Sequence, residues 1–206
     1  MIPDFFFCSA PQSPERYERA CETLAMWRKV VWPVTVLQAE PGNSFYFQSE
    51  RRKMAERLAT TPIYIVADDD IEPSALRWPG LTLLKCQLYW LEVGLEMMEK
   101  YPQFGILSPL LEKTTLFPAT VDGSPPFVNT DVQEEHNVGG IRFCRKGIIT
   151  EWPEQLRRGY DQEHCAAYQQ HGYKVGYMKH LWAIHPGKKS ETWKPVTDYI
   201  CPKLPT

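Results

Sequence analysis

The sequence predicts an α/β fold: a mixed, mostly parallel sheet with helices on both faces. Three observations support this. The first seventy residues alternate strand-like and helix-like segments in the order β-α-β-α-β, and parallel neighbours need a crossover that a helix supplies. Ile63, Tyr64, Ile65, Val66 and Ala67 form an unbroken apolar run, as expected of a strand covered on both sides. That run empties into Asp68, Asp69 and Asp70, at the carboxyl end of a strand, where sheets of this kind collect ligands.

Each element has a local reason. "DFFFCSAP" is a short apolar strand stopped by Ala10-Pro11, and "SPERYERACETLAMWRKV" opens on Ser-Pro with apolar residues at helical spacing. "PVTVLQAEPGN" is β-branched and closes on Pro-Gly, and "SERRKMAERLATT" is a polar helix containing Ala and Leu. From about Leu81 to Lys100 the sequence predicts a long helix with a broad apolar face, followed by a strand at "FGILSP". "ATVDGSPPFVNTDVQEEHN" is polar and Pro-bearing, and is expected to be an irregular loop near a substrate. "VGGIRFCRKGIIT" reads as a strand with Gly139-Gly140 at its start, where a missing side chain lets a backbone or ligand come close. "YDQEHCAAYQQHGY" is a helix closed by Gly172, and "KVGYMKHLWAIHP" is the last strand or pair of strands.

Composition excludes several classes. At 206 residues and 43% hydrophobic, one well-buried domain is the expectation. A net charge of -2 gives no bulk reason for non-specific binding to nucleic acid. The opening lacks a basic segment, and nothing approaches the ~18 apolar residues of a membrane span, so a soluble cytoplasmic protein without an integral membrane segment is expected. Cys8, Cys21, Cys86, Cys144, Cys165 and Cys201 form no CxxC pair. Reduced, mostly buried thiols are expected rather than a zinc knuckle.

Three adjacent carboxylates repel one another and resist desolvation, so a cation or another positive partner is the natural compensation. An acidic turn facing water is the plain alternative. Asp161 with Glu163 at the start of a helix, and His185 after the last strand, each have equally plain readings as a helix-terminal charge and a surface histidine.

Taken as an ordered series, these segments resemble the GT-A glycosyltransferases, in particular the large family 2 type. "IYIVADDDIEP" is similar to that family's strand ending in the DxD motif, and "NVGGIRFCRKGII" to its acceptor-side strand. "GYDQEHCAAYQQHGYKVGYMKHLWAIHPG" resembles its ED-containing helix, following strand and closing His. The resemblance implies a Rossmann-like nucleotide-diphospho-sugar transferase, with residues 1–80 as the nucleotide-sugar half, 81–187 as the acceptor and catalytic half, and 188–206 as a Lys/Pro-rich tail. It implies Asp70 and His185 as ligands of Mn2+ or Mg2+, with Asp68 facing the ribose or the metal's waters. Asp161 is the implied base for the acceptor hydroxyl, with Glu163 as an alternative, because Tyr160 stands where the family has Glu. Ala10, Pro11, Glu40, Arg52 and Asp69 fall on the donor side, and Gly139, Gly140 and Trp152 on the acceptor side. Helix statistics alone put Arg52 on a solvated face.

The implied activity is transfer of a sugar from a nucleotide-diphosphate donor, a UDP-sugar first, with inversion. A glycoside hydrolase also uses paired carboxylates but needs no DxD at a sheet edge. A nucleotidyltransferase shares the sheet and the metal, yet "CSAPQSP" lacks a Gly-rich phosphate loop. A non-catalytic nucleotide-sugar-binding module is the remaining rival. Six lysines (174, 179, 188, 189, 194 and 203), interleaved with Trp182 and Trp193, leave two readings for the tail: a solvated segment, or a surface for a polyanion acceptor such as DNA carrying a hydroxymethylated base.

Overall fold

The structure, a computed structural model, describes residues 2–11, 13–39, 47–73, 83–112, 131–152, 160–185 and 202–205. In chain order these form β1 (Asp4–Ser9), α1 (Pro14–Val30), β2 (Val34–Gln38), α2 (Phe47–Leu58), β3 (Ile63–Asp68), β4 (Glu72–Pro73), α3 (Leu83–Lys100), β5 (Phe104–Glu112), β6 (Val132–Glu135), β7 (Ile141–Arg145), α4 (Tyr160–Gln170) and β8 (Lys174–Ile184). The strands join one sheet in the order β2-β1-β3-β7-β5-β8-β4, and β6 also pairs with β8. β1, β2, β3, β5 and β8 run one way, while β4, β6 and β7 run the other. The expected mixed, mostly parallel sheet is present.

Strand alternation builds a core on each face. β1 sends Phe5 and Phe7 one way, where they pack with Ile65, Ala67 and Phe143 against Leu24 and Trp27 of α1 and Trp90 and Met98 of α3. Rings run continuously through this layer: Phe5 to Trp27 at 4.8 Å, Trp27 to Trp90 at 5.2 Å, Trp90 to Phe143 at 5.1 Å. Phe6 and Cys8 face the other way, with Tyr64, Val66 and Cys144, onto Ala55 of α2 and Cys165 and Tyr168 of α4. Helices therefore cover both faces. Cys8, Cys21, Cys144 and Cys165 are free thiols, three of them buried.

α1 starts as its Ser-Pro predicts: Ser13 Oγ accepts from the Arg16 amide at 3.3 Å and Pro14 is the first helical residue. One expectation changes and one open reading is settled. The polar stretch expected to be irregular contains β6, whose Val132 pairs with Met178. Only Val132 of its four residues is buried, so the strand carries almost no apolar signal. Residues 119–130 of that stretch lie outside the described residues. β8 is one strand rather than two, with a register shift against β5 between Pro109 and Leu110, where the sequence leaves both forms open.

The described end of the tail is tied to the body of the protein, with Leu204 buried and Pro202, Lys203 and Pro205 exposed. Gln38 Nε2 donates to the Pro202 carbonyl (2.7 Å), Tyr17 Oη to that of Lys203 (3.1 Å) and Arg28 Nη2 to that of Pro205 (2.7 Å). The Leu204 amide donates to Gln38 Oε1 at 2.8 Å, and the Leu204 side chain is buried with the α1 and α3 core.

Candidate active site

The carboxyl edge of the sheet assembles the candidate residues by register. β1 and β3 are parallel, with Cys8 opposite Asp68, so the end of β1 meets the aspartate turn. There Asp69 Oδ2 accepts from Ser9 Oγ (2.7 Å) and the Ala10 amide (3.0 Å). Asp69 thus ties two strand ends together, and its carboxyl is raised by burial and by neighbouring Asp70. Pro11, next to Ala10 in sequence, is buried, and Glu40 lies outside the described residues.

β4 places the next pair. Glu72 lies opposite Ile184 in an antiparallel bridge, which turns Asp70 toward the residue after β8. His185 Nε2 stands 3.3 Å from Asp70 Oδ2, with both side chains about a quarter exposed. The hydrogen bond to Asp70 raises His185 against its desolvation. Burial opposes ionisation of Asp70, but His185, Arg16 and Arg19 together hold its carboxyl below its ordinary value. Trp27 steadies this turn from below, its Nε1 donating to the Ile71 carbonyl at 2.6 Å.

The opposite face gathers a charge network. β7 is antiparallel to β3 with Arg142 opposite Val66, so alternation points Arg142 toward α2 and α4. Arg52 Nη2 donates to Asp161 Oδ1 at 2.6 Å and lies 3.4 Å from both oxygens of Asp68. Arg142 Nη2 also donates to Asp161 Oδ1. Both arginines are 1% exposed, against 35% for Asp161. Arg52 is therefore not on a solvated face; it is buried against two carboxylates. Burial raises Asp68 to about 6, although Arg52 counters it. For Asp161, burial is outweighed by Arg142 and Arg52, and the carboxyl stays below its ordinary value. Its place in the first turn of α4 also favours the anion.

Glu163 is buried two positions further along α4, and residues two apart do not share a helix face. Gly139 and Gly140 sit against this network: a Cβ at Gly139 would lie 2.9 Å from Asp161 Oδ2, and Gly140 has φ +76. The Gly140 carbonyl accepts from the Asp68 amide at 2.8 Å. Trp152 stacks on His164 with ring centroids 5.5 Å apart and planes at 18°, and Lys53 Nζ lies 5.8 Å from the Trp152 ring centre.

Sequence reasoning missed Arg142, His164 and Arg51. The available signal was an arginine flanked by the apolar Ile141 and Phe143 within a strand. Arg51 is 4% exposed and lies near Cys8, Asp69 and Asp68. Its Nε and Nη1, like those of Arg52, are buried without a hydrogen-bond acceptor. Such donors are costly to leave unmade.

A divalent ion commonly takes one or two side chains and completes its shell with water and substrate phosphates. Asp70 and His185 form a pair of that kind, and an imidazole is acceptable to Mn2+. Among the described residues, no group of three or more His, Cys, Asp or Glu side chains is placed to hold a metal; Asp68 turns toward Arg52. Lys174 Nζ pairs with Glu134 at 2.5 Å, while Lys188, Lys189, Trp193 and Lys194 lie outside the described residues, as do the side chains of Lys179 and Trp182. No helix among the described residues is long and apolar enough to cross a membrane.

This topology, with its site at the carboxyl edge, is the GT-A fold of glycosyltransferases. Neither a family model nor a curated protein matches the chain. Among solved structures it is similar to GalNAc-T7 crystallised with UDP, GalNAc and Mn2+ (11% identity, TM-score 0.50, 95% of this chain and 47% of that one). It is also similar to S. aureus TarS residues 1–349 in complex with UDP-GlcNAc (12%, 0.50, 95% and 61%) and to A197 from STIV (12%, 0.50, 88% and 85%). The chain spans about half of the GalNAc-T7 chain.

Proposed function

We propose that this protein is a divalent-metal-assisted, inverting glycosyltransferase that moves a sugar from a nucleotide-diphosphate donor, a UDP-sugar first, to an acceptor hydroxyl. One observation carries the reading. A single guanidinium, Arg52, touches both the carboxylate that ends the donor strand, Asp68, and the carboxylate that opens α4, Asp161. In this reading donor binding and acceptor activation meet at one residue of α2, beside the carboxyl edge of the sheet. UDP and Mn2+ in GalNAc-T7 and UDP-GlcNAc in TarS support the choice of donor and metal.

In this reading Asp70 and His185 would hold Mn2+ or Mg2+, which would supply Lewis-acid stabilisation of a leaving diphosphate. Asp68 and Asp69 shape the donor side, with Ala10 and Pro11 at the strand end and Glu40 toward the base. Arg51 and Arg52 offer their open N–H groups to the donor. Gly139, Gly140 and Trp152 border the acceptor, whose oxygen attacks the anomeric carbon as the bond to the diphosphate oxygen breaks. The acceptor proton goes to Asp161 Oδ2. A carboxylate held below its ordinary pKa is a weak base, but it remains ionised, and the attacking oxygen becomes strongly acidic as its new bond forms. Late transfer therefore suits Asp161.

The test is transfer from labelled UDP-sugars to a panel of hydroxyl acceptors, with Mn2+, with Mg2+ and in excess chelator. Activity is expected only with metal, and Asp70→Ala is expected to lose donor binding together with turnover. Full transfer in chelator, or normal donor affinity in the folded variant, removes Asp70 and His185 from the metal site.

A further inference from the structure

The two oxygens of Asp161 have unlike surroundings. Oδ1 accepts from Arg52 Nη2 and Arg142 Nη2, while Oδ2 faces the side-chain-free flank of Gly139. Arg142 uses each of its nitrogens: Nε donates to the Val138 carbonyl at 3.0 Å, Nη1 to His164 Nδ1 at 3.0 Å, and Nη2 to Asp161. A guanidinium only donates, so His164 Nδ1 must accept, and the imidazole is neutral with its hydrogen on Nε2. His164 has no freedom to swing away: it is fully buried between Trp152 and Tyr168, the latter ring centre also at 5.5 Å. Burial, with Arg142 and Arg52 nearby, pushes its pKa well below the ordinary value, in keeping with the neutral form.

We propose that Arg142, fixed by His164 and the Val138 carbonyl, is a positioning residue that engages Asp161 Oδ1 and leaves Oδ2 as the one oxygen aimed at the acceptor hydroxyl. This rests on Asp161 as the proton acceptor. A small misplacement of a reacting group costs about 100-fold in rate, so the clamp matters to the chemical step and not to donor affinity. Charge alone is insufficient: a lysine in this position keeps the positive charge but cannot reach three acceptors in fixed directions.

A double-mutant cycle separates this from a structural ion pair. Arg142→Lys, Asp161→Asn and the double variant are compared by kcat for sugar transfer, UDP affinity and melting temperature. Arg142→Lys is expected to lower kcat roughly 10- to 100-fold with UDP affinity within about twofold, and to cost nothing further in the Asp161→Asn background. Full kcat in Arg142→Lys, or the same loss in both backgrounds, overturns the proposal. If Arg142→Lys does not fold, His164→Gln loosens the clamp from its far side, with the same expected dependence on Asp161; full kcat in that folded variant overturns the proposal as well. Full transfer by Asp161→Asn is a different result: it removes the base itself, and the positioning role with it.

Discussion

In the proposed site, a proton and a metal ion would compete for His185. The imidazole gains from its contact with Asp70, so its pKa lies above the ordinary value, while that of Asp70 lies below. The sign follows. The pair's contribution to stability is full below the unfolded histidine value, about 6.5, and fades as pH rises through the raised value. On the acid side it fades as pH falls through Asp70's lowered value. A metal ligand must shed its proton, so Mn2+ affinity in the absence of donor should rise steadily from pH 6 to pH 8. His185→Ala should flatten that dependence; calorimetric Mn2+ titrations at several pH values read it directly. The base assignment is tested on the same scale. Asp161→Asn should keep UDP and metal affinity while transfer falls by roughly two to four orders of magnitude, and Glu163→Gln should not. If the two variants exchange these phenotypes in single-turnover assays, the base is Glu163.

The aspartates, Asp161 and His185 were legible as residues because their order along the chain matches a family pattern. Arg142 and His164 were not, since their meaning lies in partners twenty or so positions away that no local spacing reveals. Arg52 was misleading for another reason. Periodicity assumes that a buried helix face is apolar, and α2 instead buries Arg51, and Arg52 against two carboxylates.

At the scale of elements, the helices and central strands follow from apolar spacing and turn chemistry, whereas β4 and β6 do not. β4 has only two residues and β6 has one buried side chain, so each is defined by its pairing with β8 rather than by its own composition. Helix placement depends on close approach in at least one position. α3 crosses β7 at Gly94, where an added Cβ would fall 2.2 Å from Phe143 Cζ. That ring is fully buried and already in contact with Trp90, so it has little room to yield. Gly94→Ala should therefore destabilise the protein by about 1–3 kcal/mol despite the better helix propensity of alanine. Urea denaturation measures this; an unchanged or raised midpoint would show that the ring moves freely.

For the whole molecule, two cores on opposite faces of one sheet explain why Phe5 through Cys8 can be apolar without alternation. The docked tail adds a long-range closure that composition did not reveal, because a lone leucine among Lys and Pro gives no periodic signal. Leu204 is 4% exposed, and Leu204→Ala should cost about 2–3 kcal/mol, at the low end for a buried leucine because the site lies near the surface. Thermal melts of that variant, alongside removal of residues 202–206, check it; no change in either would show that the docking contributes nothing to stability.

The docking also fixes where the described chain ends emerge. Gln38 and Tyr17, which hold Pro202, Lys203 and Leu204, lie toward the end of the sheet that carries the aspartates, and Arg28 in the last turn of α1 reaches up to the Pro205 carbonyl with its side chain. Ile2, 62% exposed, leads into β1 from the opposite end of the sheet. A reporter fused ahead of Ile2 would therefore sit at the sheet edge opposite Asp68, Asp69 and Asp70 and leave the aspartate edge clear of it.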